Sequence, residues 1–491
     1  MKKLLTFILL GAVIGGCAPA VRLPLRQPST TPRMSAMSRS PQPALKAQID
    51  SLLDSTLFPP SNLGIKVVSL TTRDTLYALN STMLFNPASN EKLFTSATAL
   101  SVLGEDFLFS TVASADSSTQ TIFLKGYGDP MLSTDDLDSI ASVVASRLPS
   151  TKKKWKVAAD VSYFDDIYLG EGWRWDNEPE SDGMFLTPLC VNSNCIEVRV
   201  RPGKGPGDPL QVQTQPATGF VSIENNGITA GDSLVTPLEV SRKWRERTNI
   251  ITVKGQMLRR DVTPKRTLSV WQPERYAATL FAERLRAAGI QVDSVLTDTV
   301  RSTATEIFRF THRLDSIITK VNKVSDNLSA ETVLKTLGAE KRGIPGSART
   351  GLSVVKEFLS SSGIDTTTVT LADGSGLSRY NLTSPHAIVR LLEALYRNGT
   401  HFQAFFNSLP IAGVDGTIGY RMLGSRAEEN LRAKTGSMNG VSTFSGYVRT
   451  ADNELLAFSM MMQNFIGSSR RYLEVQDKIG ILLSGIKKGD L

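Results

Sequence analysis

"NPASNEKLFTSATAL", residues 86–100, is the stretch on which the fold turns. A serine and a lysine stand three positions apart, just behind a proline and at the head of an apolar run. As structure, the stretch reads as a helix start: a polar cap, a proline near the first turn, then a buried face of Leu93, Phe94, Ala97 and Leu100. As chemistry, it reads as a catalytic pair. Positions i and i+3 share one helix face, so Lys92 could take the proton of Ser89. The surrounding chain has to choose between the two.

Two more short motifs follow. Ser325-Asp326-Asn327 is S-D-N, and Lys434-Thr435-Gly436 is K-T-G. With S-x-x-K they form the trio of penicillin-binding proteins and class A β-lactamases. Taken singly the motifs are weak, since Ser150–Lys153, Ser353–Lys356 and Ser484–Lys487 also read S-x-x-K, and Arg349-Thr350-Gly351 nearly reads K-T-G. Context separates them. Arg349-Thr350-Gly351 runs into a helical pattern, whereas Lys434-Thr435-Gly436 lies on a strand before a hairpin. The order helix, loop, strand makes the trio specific.

Acyl transfer from an amide needs a nucleophile, a base and donors for an oxyanion. Ser89 is the nucleophile. Only three histidines occur, and no G-x-S-x-G elbow, so a neutral Lys92 is the natural base. A free lysine has a pKa of about 10.4, and burial or a second cation, here Lys434, lowers it. Ser325 can relay a proton to the leaving amine. Asn327 can hold Lys92 and donate to the substrate carbonyl. Lys434 and the Thr435 hydroxyl suit a terminal carboxylate. Gly436 leaves room for a substrate laid along the strand edge, with the N–H groups of Ser89 and Ser437 as the oxyanion hole.

The bulk of the chain fits such an enzyme. Its 491 residues suffice for two or three domains, and 41% hydrophobic with 21% charged residues is a globular balance. Net charge is +8, but no dense basic stripe appears beyond Lys152–Lys154, which argues against nucleic acid as a partner. No His or Cys pair has metal-ligand spacing, so a zinc peptidase is not expected.

The start of the chain reads as an address. Residues 1–17, "MKKLLTFILLGAVIGGC", place Lys2 and Lys3 before an apolar stretch from Leu4 to Val13. That stretch is a signal peptide, too short to span a bilayer. Its end resembles the bacterial lipobox, which implies cleavage before Cys17 and a lipid anchor to the membrane on that residue. Ala18 follows, not aspartate, which points to an outer-membrane lipoprotein facing the periplasm. Residues 18–43, rich in Pro, Ser and Arg, read as a flexible tether. In that oxidising compartment Cys190 and Cys195 could close a small disulfide loop or sit as free core thiols.

Residues 45–56 have a helical pattern. Two strands follow around a turn at Thr72–Asp74. From about 112 to 303 the texture changes to short strands and Gly/Pro turns, with one amphipathic helix over 273–290. Helices return from 304, and three strands close the chain around Asn439-Gly440 before a helix over about 470–485. The fold class is therefore α/β, an α+β sandwich of helices on an antiparallel sheet, made from 44–111 and 304–491 and split by a β-rich insertion at 112–303.

A spacing of 236 positions between Ser89 and Ser325 exceeds what a compact β-lactamase uses. It resembles the D-alanyl-D-alanine carboxypeptidases of peptidase family S13, the penicillin-binding-protein-4 type. The likeness extends to "GYGDPML", "GWRWD", "SDNLSAE", "DGSGLSRYN" and "AGVDGTI". It implies a transpeptidase-like catalytic domain, a serine D,D-carboxypeptidase or D,D-endopeptidase acting on peptidoglycan stem peptides, and acylation of Ser89 by β-lactam antibiotics. It implies no metal or organic cofactor, and it implies that Arg379 and Asp176 contact the diaminopimelate side chain. Asp129 and Asp373 read as turn formers, and Trp173 and Trp175 as core. Two rivals use the same scaffold: an anchored wall-binding protein without catalysis, and a β-lactamase or esterase.

Overall fold

The strands around Asn439-Gly440 form one edge of the main sheet. In the computed structural model Arg432–Met438, Val441–Arg449, Leu455–Gln463, Asn62–Ser69 and Thr75–Leu79 lie side by side in that order, each antiparallel to its neighbours. The structure describes residues 43–54, 61–148, 153–233, 236–261 and 264–487. The signal peptide, Cys17 and the tether up to residue 42 lie outside the described residues.

Strand alternation splits this sheet into two apolar faces. Leu456, Phe458, Met460 and Met462 cluster with Leu45 and Ile49 of the Pro43–Leu52 helix and with Ile479 and Leu483 of the Arg470–Gly485 helix. Ala457 and Met461 pack on the opposite side, against Phe94, Leu100, Val333 and Leu392. Helices therefore cover both faces, as an α+β sandwich requires.

The Glu91–Leu103 helix is the innermost element. Leu93, Phe94, Ala97 and Leu100 are buried as their spacing predicts, but so are Glu91, Lys92, Thr95 and Ser96. An apolar stripe alone does not need that. The polar side of this helix is enclosed because the Leu314–Lys323 and Asn327–Arg342 helices and the loop at 373–378 pack over it.

The middle of the chain builds a second core around a five-stranded mixed sheet. Its order is Val292–Thr297, Trp155–Asp160, Thr121–Gly126, Leu108–Asp116 and Thr305–Arg313. Two smaller three-stranded sheets join it. The expectation that helices return at 304 needs correction. Thr305–Arg313 is a strand paired with Leu108–Asp116, and the helix starts only at Leu314. The drawn boundaries at 111 and 304 thus fall within or beside two paired strands that enter and leave this region together.

Cys190 and Cys195 are free, buried thiols and form no disulfide. Burial pushes both up to about 12, which keeps them protonated and unreactive.

Candidate active site

Ser89 does not sit on the α-helix itself. It occupies a single 3₁₀ turn, Ala88–Asn90, that feeds the Glu91–Leu103 helix. No side chain caps this start, contrary to the sequence expectation, because the nearby amides bond elsewhere. Asn86 accepts from the Ala88 N–H at 2.9 Å and donates to the carbonyls of Ser378 and Asn381. Asn90 donates to Ser445 Oγ at 2.6 Å. These bonds pin the turn to the 378–381 loop and to the sheet. Ala88 takes φ 44°, an uncommon left-handed geometry directly before the serine.

Lys92 is fully buried, and its Nζ meets three groups: Ser89 Oγ at 3.1 Å, Asn327 Oδ1 at 2.6 Å and the Ser375 carbonyl at 2.6 Å. Two of these are oxygens that only accept. A neutral amine has two N–H bonds and one lone pair. With both hydrogens given to Asn327 and Ser375, the lone pair faces the Ser89 hydroxyl. Burial lowers Lys92 to about 8, against the opposing pull of Asp373, Glu331, Asp326 and Glu91. At pH 7 such a group is neutral in roughly a tenth of molecules, against a negligible fraction for a free lysine.

The second motif sits in the tight link between two helices. Ser325 has φ 63°, Asp326 caps the next helix by accepting from Ser329 N–H at 2.7 Å, and Asn327 begins that helix. This turn aims the Ser325 hydroxyl at Lys434, whose Nζ donates to it at 2.8 Å and to the Thr435 carbonyl at 2.8 Å. Lys434 is also fully buried. Burial and the charge of Lys92 both push it well below the usual lysine range. Burial lowers Lys92, as expected from the sequence, and the expected repulsion between the two lysines acts on Lys434. Two ammonium groups in one dry pocket are disfavoured.

The third motif forms the free edge of the main sheet, open to an added strand. A Cβ on Gly436 would lie 2.8 Å from the Pro87 carbonyl and 2.9 Å from the Ser89 nitrogen, so glycine is what lets this edge approach the serine turn. Ser437, the next residue, is exposed. Thr435 Oγ1 lies 2.8 Å from Thr417 Oγ1, pairing two hydroxyls beside Lys434.

Ser89, Lys92, Ser325, Asn327, Lys434, Thr435 and Gly436 thus meet around one cleft. The arrangement can move a proton off a hydroxyl, hold a carboxylate and admit a peptide along a strand edge.

Arg379 and Asp176 are not joined. Arg379 donates to the Asn439 carbonyl at 3.1 Å, while Asp176 pairs with its neighbour Arg174 at 3.2 Å on the exposed turn Trp175–Asn177. No hydrogen bond or ion pair links them among the described residues. Trp173 reaches the site by donating from Nε1 to Asp373 Oδ2 at 2.9 Å. Trp175 is a correction: it is 68% exposed and rests against Trp244, centroids 5.4 Å apart, not in a core.

Asp373 and Asp129 do form turns, accepting from Gly376 and Ser378 N–H and from Met131 N–H respectively. Three residues of the cleft escaped the sequence reading: Thr417, Ser375 and Glu331. They lie in "AGVDGTI", "DGSGLSRYN" and "SDNLSAE", so the segments were visible but the individual roles were not.

The chain matches the family model of the D-Ala-D-Ala carboxypeptidase 3 (S13) family over residues 45–484. It is 34% identical to a D-alanyl-D-alanine carboxypeptidase of Actinomadura sp. (strain R39), over 94% of this chain and 88% of that one. In fold it is similar to the crystal structure of penicillin binding protein 4 (dacB) from Haemophilus influenzae. The TM-score is 0.79 at 24% identity, covering 89% and 99% of the two chains. A second crystal structure of that protein, complexed with a β-lactam, aligns with TM-score 0.72 at 23% identity over 89% and 100%.

Proposed function

The chain belongs to the D-Ala-D-Ala carboxypeptidase 3 (S13) family, and from that premise we propose how its own residues perform the reaction. It is a serine-type D-alanyl-D-alanine carboxypeptidase, a hydrolase that acts on peptidoglycan peptides.

A stem peptide lies against the Arg432–Met438 edge, with its terminal carboxylate on the hydroxyls of Thr435 and Thr417 and the ammonium of Lys434. That carboxylate favours a charged Lys434, and a charged Lys434 disfavours charge on Lys92. The neutral Lys92 takes the Ser89 proton as Oγ attacks the penultimate D-alanyl carbonyl carbon. The resulting oxyanion rests on the N–H groups of Ser89 and Ser437. The proton passes from Lys92 through Ser325 to the D-alanine nitrogen, the C–N bond breaks, and an ester on Ser89 remains. Water, deprotonated by Lys92, hydrolyses the ester and frees the serine.

The observation that carries this reading is the Lys92 amine, with two acceptor oxygens on its hydrogens and the Ser89 hydroxyl opposite its lone pair. A β-lactam offers the same carbonyl, but its leaving nitrogen stays tethered, so the ester persists. Support comes from the β-lactam complex of the similar Haemophilus influenzae protein.

The open sheet edge also suits a D-alanyl bond inside a cross-link, so we infer endopeptidase activity as well. Arg379 and Asp176, on the rim, are assigned to the side chain of the stem-peptide diamino acid. The elements up to the Glu91–Leu103 helix and from Leu314 onward form the catalytic domain, and the region entered by Leu108–Asp116 and left by Thr305–Arg313 is an insertion that shapes its rim. Lys2, Lys3, the apolar stretch and Cys17 support export to the periplasm and a lipid anchor at the outer membrane. An alkyne-fatty-acid label taken up by the wild type and lost in Cys17→Ser tests the anchor.

Mass spectrometry of muropeptides after digestion tests the activity. Loss of one alanine marks the carboxypeptidase, and dimers split to monomers mark the endopeptidase. Unchanged muropeptides from protein that still takes up penicillin would remove peptidoglycan as the substrate.

A further inference from the structure

Behind the cleft lies a buried acidic residue that the reaction above does not use. Glu331 sits one turn beyond Asn327 on the Asn327–Arg342 helix, so the two share a face. It is fully buried. Its Oε1 accepts from the N–H groups of Gly374 at 2.9 Å and Ser375 at 2.8 Å. Its Oε2 is buried and finds no hydrogen-bond partner among the described residues.

A carboxyl group placed so deep, with one oxygen unmatched, costs stability. What it holds explains its place. The backbone it clamps leads directly into the Ser375 carbonyl, the acceptor that takes one hydrogen of Lys92 at 2.6 Å. The other acceptor, Asn327 Oδ1, comes from the same helix. One helical turn thus sets both oxygens that orient the lysine, one directly and one through Glu331.

We propose that Glu331 is a positioning residue for the acyl transfer: it clamps the Gly374–Ser375 peptide so that the Ser375 carbonyl binds Lys92 and the lysine lone pair is left for Ser89. The inference rests on Lys92 being the base.

Other charged groups face the same pocket. Glu91 comes from the Glu91–Leu103 helix, Asp373 from the loop, Asp326 from the helix start and Lys434 from the sheet edge. Asp373 holds the Gly376 N–H, on the far side of the Ser375 carbonyl, but donors from Ser375 Oγ, Gly376, Ser378, Asn381 and Trp173 fill it, so it cannot take over the N–H groups of Gly374 and Ser375. Burial, Asp373 and Glu331 raise Glu91, and burial with Asp373 raises Glu331 to about 8. At neutral pH an uncharged Glu331 suffices, because the clamp needs an acceptor oxygen and not a negative charge.

That distinction sets the test. Glu331→Gln keeps the acceptor oxygen and removes the titratable carboxyl group. Glu331→Asp keeps a carboxyl group but draws its oxygen back by one methylene. Glu331→Ala removes both. Steady-state kinetics on a D-Ala-D-Ala peptide and single-turnover acylation by a fluorescent penicillin are measured, with melting curves to show folding. The expected result is a loss of about 10²-fold in kcat and acylation rate for Ala and Asp, with KM within about twofold and Gln recovered to within about fivefold of wild type.

Wild-type rates in all three would overturn the proposal. So would Asp outperforming Gln, or a rise in KM at unchanged kcat. If Ala and Asp do not fold, Gln decides: recovery supports the clamp, and a loss above about tenfold overturns it. Lys92→Ala runs in parallel. Wild-type acylation there would overturn the choice of base itself, a failure separate from any result at Glu331.

Discussion

The cleft around Ser89 and the rim around Trp175 lie close in the fold and differ in every physical respect. In the cleft, Lys92, Lys434, Glu91, Glu331 and Asp373 are almost entirely buried, and Lys92, Lys434, Glu331 and Asp373 are held by short hydrogen bonds. On the rim, Trp175 is 68% exposed, Arg174 and Asp176 pair across open solvent, and Arg379 is exposed. Trp173 ties one to the other, through Asp373. The difference separates two tasks. Burial moves the protonation of a lysine far enough to make it a base, whereas an exposed ion pair is worth at most about 1 kcal/mol and can tune only which substrate enters. Substitutions in the cleft should therefore act on kcat, and those on the rim on KM.

The largest effect is expected at Ser89. Ser89→Ala should take up no covalent penicillin, and intact-protein mass spectrometry reads this directly; an adduct in that variant would remove the nucleophile. Next comes Lys92→Ala, which should acylate at least about 10³-fold more slowly while remaining folded. A result like wild type would erase the contrast between cleft and rim.

The rim gives smaller numbers. Arg379→Ala should raise KM by about fivefold for a substrate bearing a free side-chain carboxylate, with kcat little changed. The same variant on a substrate lacking that carboxylate sharpens the comparison, since the effect should vanish there. Trp173→Phe removes one of five donors to Asp373 and should cost about 1 kcal/mol in denaturant unfolding. Asp176→Ala should raise KM by about twofold for a substrate with a free side-chain amine, less than at Arg379, because Asp176 is exposed and already paired with Arg174.

The sequence disclosed the cleft better than the rim, for a physical reason. Three motifs in order revealed Ser89, Lys92, Ser325, Asn327 and Lys434, because acyl transfer restricts which residue types can serve. The apolar spacing of Leu93, Phe94, Ala97 and Leu100 likewise foretold which side of their helix is buried. What stayed hidden depends on distant contacts. Glu331 and Ser375 meet across 44 positions, and Thr417 and Thr435 across 18. No local pattern encodes such pairs. The start of the Glu91–Leu103 helix has no side-chain cap because Asn90 bonds to Ser445 and Asn86 is spent on Ala88 of the preceding turn and on the 378–381 loop. Trp175 looked like core by residue type, but a tryptophan can lie flat against another at the surface. The strand Thr305–Arg313 was missed because it alternates weakly and its partner, Leu108–Asp116, lies nearly 200 residues earlier.

The central claim is that burial turns Lys92 into the base for Ser89, and the pH dependence of single-turnover penicillin acylation tests it most directly. Because the neutral amine is the active form and Lys92 is lowered to about 8, the rate should climb about tenfold per pH unit below that value and level off above it. A profile flat from about pH 5 to 9, or one still rising toward the ordinary lysine value of 10.5, would contradict the account.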